Sequence, residues 1–363
     1  MPPESILVQF LSGTIEAERV ADSPACELLL RQARSANLLS RVAALCDDKN
    51  LTSRLPQRMQ NHLQSAQAVA EANHRSVKWE AKQIELTLLA DDIPFCLLKG
   101  GAYVVGQTVA AKGRVFSDVD ILVPREFLEK TEQLLIRKGW MCTNFDSYDQ
   151  RYYRTWMHEL PPLQHMKRGT TLDVHHAIIP PTARIKSDIE KIWKSAHKVD
   201  KYKVLYIPDN KDLVLHSAVH LFCDGELENG LRDLSDLDLL LRDLSVNDDF
   251  WAGLLARSVE LNLQRPLFYA LRYTHALLKT PVPAKFLTAS KQGSPGSLVE
   301  KWMDFLFYRA LLPDHITCTD RWTGLARWML FVRSHWLKMP PLQLAQHLAR
   351  KGYKRWKKRN ASV

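Results

Sequence analysis

The run Val115-Phe116-Ser117-Asp118-Val119-Asp120-Ile121-Leu122-Val123 constrains this chain more than any other segment, because it sets two carboxylates two residues apart inside an apolar stretch that Pro124 stops. Read as a strand, the two-residue period sends Asp118 and Asp120 to one face and Val119 and Ile121 to the other. Two carboxylates on one face can share a hard cation. Magnesium prefers oxygen ligands and keeps substrate phosphates among them, so such a pair beside an open cleft suits nucleotide chemistry. A third carboxylate, Asp173, lies between Leu172 and Val174 in another strand-like run and can face the same point.

The chain carries its own control for this pattern, since Ser235-Asp236-Leu237-Asp238-Leu239-Leu240 nearly repeats Ser117 to Leu122. The second copy belongs to a leucine pattern of helical period, where residues two apart are rotated by about 200°. Asp236 and Asp238 are therefore not expected to pair.

Around the first copy the sequence reads as a mixed α/β centre. Phe95 to Leu98 is a short apolar strand, Lys99-Gly100-Gly101 a tight turn, and Ala102 to Ala111 a helix. Another helix is expected from Arg125 to Lys138, with further strands over 170–175 and 204–207. Residues 1–92 hold helix formers, including an expected long helix from Ser65 to Leu89, and the pattern beyond Pro208 is helical again. The expected organisation is an N-terminal helical region over 1–92, a core over 93–207 and a C-terminal helical region over 208–363.

Gly100 and Gly101 allow close backbone approach at a helix start whose free N–H groups suit anionic oxygen. Lys99 and Arg114 flank the two strands and Arg232 lies further on; each can neutralise triphosphate charge. His175 shares the strand face of Asp173 and can touch a phosphate or the acceptor, whereas His176 faces away. His216 and His220 are four apart on one helix face but lack the Glu of a zinc-protease motif. Asp224, Glu226 and Glu228 read as a solvated acidic loop.

The three segments LKGGAY, GRVFSDVDILV and LDVHH together resemble the DNA polymerase β-like nucleotidyltransferase superfamily, and within it the bacterial uncharacterised nucleotidyltransferase branch. The resemblance spans about residues 80–180. It implies an α+β fold with a central mixed-sheet core flanked by the two helical regions. It also implies that Gly100 and Gly101 approach the triphosphate, that Ser117 contacts phosphate, that Asp118 and Asp120 bind both metals, and that Asp173 completes one metal site. The separation between Gly101 and Asp118 is longer than in compact members of the superfamily. The implied activity is Mg2+- or Mn2+-dependent transfer of a nucleoside monophosphate from a nucleoside triphosphate to a hydroxyl of RNA, protein or a small molecule. A metal-dependent glycosyltransferase and a catalytically inactive nucleotide- or nucleic-acid-binding protein are the alternatives.

Charge adds a hint about the acceptor. The net charge of +10 is concentrated in residues 321–363, which hold eleven basic residues and no acidic one. Arg350 to Arg359 interleaves cations with Tyr353 and Trp356, which favours RNA slightly as a partner. Trp322, Trp328, Phe331 and Trp336 among Arg327, Arg333 and Lys338 also suit an anionic membrane surface. Six scattered cysteines, no secretory leader pattern and no long apolar run lead to the expectation of a cytoplasmic protein in a reducing compartment.

Overall fold

A computed structural model describes residues 4–15, 20, 23–143, 146–225, 227–245, 248–340 and 344. Seven strands form one mixed sheet: β1 (Phe95–Leu97), β2 (Asp118–Leu122), β3 (Trp140–Cys142), β4 (Leu163–His165), β5 (Thr171–His175), β6 (His197–Lys198) and β7 (Leu205–Ile207). Their order across the sheet is β3-β4-β5-β2-β1-β7-β6. Strands β2 and β5 run parallel in the middle, with Asp118 opposite Thr171 and Asp120 opposite Asp173, while β1 pairs antiparallel with β2. Helices dominate the rest, so the fold is α+β.

Alternation sorts the central strands into two faces, as their apolar pattern requires. Phe95, Leu97, Val119, Ile121, Leu172 and Val174 enter the main core, which extends from Leu7 to Leu330. Cys96, Leu98 and Leu122 lie on the opposite face, packed against Ile189 and Trp193. Asp118, Asp120 and Asp173 share the parity of that second face. The acids therefore extend beyond a small apolar cluster on the side of the sheet away from the main core.

The structure corrects several local readings. Strands β3, β4 and β6 were not expected, because two- and three-residue strands are too short to show alternation. The long helix runs from Gln57 to Leu88, starting directly after Pro56. Its buried stripe is Met59, Leu63, Ala66, Ala70, Val77, Ala81, Ile84 and Leu88, whereas Val69 and Leu86 point to solvent. Gly100 and Gly101 do not form a turn: they lie in the first turn of a helix from Lys99 to Val105, and Val109–Ala111 is a separate 3₁₀ segment. The change from strand to helix is made instead by Lys99, whose φ of 42° places it in the left-handed region. Asp224 is no solvated loop residue, since it pairs with Lys338 at 2.5 Å beside His220.

Among the described residues beyond Ile207 there are only helices. Trp322, Trp328, Phe331 and Trp336 are exposed around the last described helix, Thr323–Lys338. The neighbouring cations are turned inward: Arg327 pairs with Asp314, Arg333 donates to the Phe222 carbonyl, and Lys338 holds Asp224. The basic run from Arg350 to Arg359 lies outside the described residues. No described helix is long and apolar enough to cross a membrane, and none of the six cysteines is in a disulfide.

Candidate active site

The register of β2 against β5 brings Asp118, Asp120 and Asp173 together, with carboxylate oxygens within 4.8 Å of one another. Such a cluster of like charges is unfavourable unless cations or protons intervene. Asp120 is buried, which alone would raise its pKa. Lys99 at 2.9 Å and His175, through an Nε2 hydrogen bond of 3.0 Å, together outweigh that, so the Asp120 carboxyl is held well below its ordinary value. Lys99 is in turn raised: burial works against its charge, but Asp120 prevails.

Asp173 has the opposite fate. Burial, then the negative charges of Asp120 and Glu159, push its carboxyl up to about 7. Its Oδ1 is buried with no hydrogen-bond partner. An unpartnered carboxylate oxygen beside two further carboxylates is a set of hard oxygen donors, and this donor chemistry fits magnesium or manganese.

The cluster opens on a cleft lined by Lys99, Gly100, Ser117, Arg232 and His220 among others. Helices Asn210–Cys223 and Gly230–Leu244 cover it, contributing His220 and Arg232 respectively. Ser117 donates from Oγ to Asp118 at 2.9 Å. Gly100 is required by packing as well as by access, because a Cβ there would come within 1.9 Å of the Phe116 ring. Gly101 packs against Leu97 and does not line the cleft.

Two cations expected to meet phosphate are already engaged. Arg114 is buried, with Nε 2.8 Å from Asp236 and Nη2 3.3 Å from Asp233, and Arg232 donates to Asp233 at 2.9 Å. Asp236 also receives Arg41 at 2.9 Å. The second Asp-Leu-Asp copy is thus helical, and its members diverge: Asp236 meets Arg41 and Arg114, while Asp238 meets Arg242 and Thr280. His216, buried beside Lys99, is lowered to about 3 and stays neutral, while His176 hydrogen-bonds to the Met157 carbonyl.

Residues that sequence reasoning missed brace the loop entering β2. Asn73, on the long helix, donates to the Phe116 carbonyl and accepts from the Phe116 N–H, each at 2.9 Å. His74 Nε2 hydrogen-bonds the Arg114 carbonyl at 2.7 Å. No local signal marks these two, since they touch residues about forty positions away. Asn73→Ala should leave both Phe116 backbone groups without this partner and cost ~1–3 kcal/mol. Chemical denaturation measures the loss, and an unchanged midpoint would show that the clasp holds nothing.

A mixed sheet that gathers three carboxylates on its adjacent central strands, two of them lining a helix-covered cleft, defines the protein's class as nucleotidyltransferase-like. Comparison of the whole sequence agrees. The uncharacterised nucleotidyltransferase family model matches residues 22–279, more than half of the chain, and the chain belongs to that family. No curated protein and no solved structure matches it.

Proposed function

We propose that this protein moves a nucleoside monophosphate from a nucleoside triphosphate to an acceptor hydroxyl, with release of pyrophosphate. The observation that carries the reading is the convergence of Asp118, Asp120 and Asp173, the first two lining the cleft and Asp173 behind them with Oδ1 left unpartnered. These three residues would hold two magnesium or manganese ions. Bound there, the ions supply Lewis-acid stabilisation of the phosphoryl oxygens and lower the pKa of the attacking hydroxyl.

The chain's own groups have separate tasks. Lys99, at the cleft wall, offsets phosphate charge while holding Asp120 ionised. Ser117 offers its hydroxyl to a phosphate oxygen, and the backbone at Gly100 admits the triphosphate closely. Asp173 completes the oxygen set beside Asp120 and is placed to assist as a base. Arg114 and Arg232 act through Asp233 and Asp236, fixing the covering helix against the strand entry. The acceptor is RNA, a protein or a small molecule. The acid-free, cation-rich sequence after Asp320 supports a polyanionic one.

The test is transfer of label from each α-labelled triphosphate, with magnesium or manganese, into fractionated cell extract. Wild type should label one fraction, and Asp118→Ala/Asp120→Ala should label none. Label in RNA, protein or small metabolites identifies the acceptor class. Equal labelling by the double variant would overturn the assignment of the acids. Consumption of nucleotide sugars instead of plain triphosphates would replace the reading with glycosyl transfer, and no turnover of either would favour a binding role.

A further inference from the structure

We propose that His158, Glu159 and His175 form a separate, nitrogen-rich binding site for a borderline divalent metal ion such as zinc, placed directly behind Asp120. One potential ligand atom from each lies within 4.8 Å of the other two. The three are brought together by backbone pairing: Glu159 bridges to His175, the Leu160 N–H donates to the Val174 carbonyl at 2.8 Å, and the His176 N–H donates to the His158 carbonyl at 2.8 Å.

The buried nitrogens of the two histidines are the main argument. A carboxylate only accepts, so the Nε2 that lies 3.0 Å from Asp120 Oδ1 carries the hydrogen. His175 Nδ1 lies 3.2 Å from Glu159 Oε2, an ion pair when the ring is protonated, and it is buried without a hydrogen-bond partner. A proton can sit between these two atoms, but a metal ion there would gain a further nitrogen from His158. His158 repeats the pattern, being 7 % exposed with a buried Nδ1 that also lacks a partner. The His175 and His158 rings are 5.3 Å apart and tilted by 34°.

Two imidazole nitrogens and one carboxylate make the ligand set that leaves a fourth position open on zinc, and imidazole favours zinc, cobalt or nickel over magnesium. The surroundings fit as well. A histidine that ligates metal through one nitrogen normally donates its other N–H to a carboxylate, as His175 does to Asp120. Occupancy would lock the ring that steadies Asp120, so this site would position one of the acids of the neighbouring cluster without sharing its ions.

The experiment uses the full-length protein, stripped with chelator, titrated with Co2+ in the presence of excess Mg2+. Wild type should bind one Co2+ with the visible absorption of a nitrogen-ligated ion of low coordination number. His158→Ala should weaken that binding by at least ~100-fold, since even a residue that only supports a ligand is worth 10–100-fold. Glu159→Gln, at a less buried position, should also weaken it and guards against misfolding of the histidine variant. Asp118→Asn should keep the band. Absence of the band in wild type, its survival in both His158→Ala and Glu159→Gln, or its loss in Asp118→Asn would each overturn the site. None of these readings depends on nucleotidyl transfer, so failure here and failure of the proposed activity are separately visible.

Discussion

Asp236→Ala should destabilise the protein by about 3–5 kcal/mol, the largest stability effect expected of any single replacement near the cleft. Asp236 is 3 % exposed and receives two guanidinium groups, Arg41 at 2.9 Å and Arg114 at 2.8 Å. Arg41 also donates to Ser235 Oγ and the Ala110 carbonyl, while Arg114 reaches Asp233 at 3.3 Å. Removing the carboxylate leaves two buried cations facing each other with one acid, Asp233, already shared with Arg232. The cost is that of stranded charge more than that of a lost attraction. Replacing Asp238, whose partners are Arg242 and Thr280, should cost less because Arg242 is over a third exposed and can turn to water. Urea denaturation of the two alanine variants checks the order. Equal losses would mean that the Arg41–Asp236–Arg114 arrangement has no special weight.

That arrangement also marks where sequence reading stops. Asp118 and Asp120 were legible because strand period is local: five residues suffice to place two acids on one face. Asp173 followed from the same rule in LDVHH. The helical nature of the second Asp-Leu-Asp copy was legible too, from its leucine spacing, and the structure bears it out. What Asp236 does was not legible, because its partners stand 122 and 195 positions away. Arg114 accordingly read as a cation near phosphate; it does line the cleft, and its pairing there with Asp233 and Asp236 had no local signal.

The glycine pair shows a different limit. Gly100-Gly101 suggested a turn, since glycine is a default turn residue. The need for glycine at 100 comes instead from the Phe116 ring, a contact across sixteen residues, and the left-handed backbone falls on Lys99. Strain at a lysine that also holds Asp120 is not visible in composition or period. Likewise His158 and Glu159 carry no motif spacing with His175; backbone pairing across the two segments joins them.

Without divalent metal, wild type should lose stability relative to Asp173→Asn as pH rises from about 4 to 7. In the unfolded chain an aspartate titrates near 3.9. In the folded protein burial and the charges of Asp120 and Glu159 raise Asp173 to about 7. Between these values the folded state keeps a proton that the unfolded state has released, so each rise in pH favours unfolding. The stability tied to this group is fully present below about 4 and is lost by the time pH has passed about 7. Asparagine imitates the protonated acid and has nothing to lose. Asp173→Asn should therefore match wild type near pH 4 and exceed it at pH 8 by up to about 4 kcal/mol. Other groups titrate in the same window, but they do so in both proteins, and the difference between the two isolates position 173. Magnesium should reverse the order, raising the melting temperature of wild type at pH 8 while leaving the variant nearly unmoved, because only an ionised Asp173 completes the oxygen set with Asp118 and Asp120. Parallel pH curves for the two proteins in chelator would refute the account. A folded state stabilised by losing one of its acids is what a site built to hold cations predicts, since the repulsion is tolerated there for the ligand's sake.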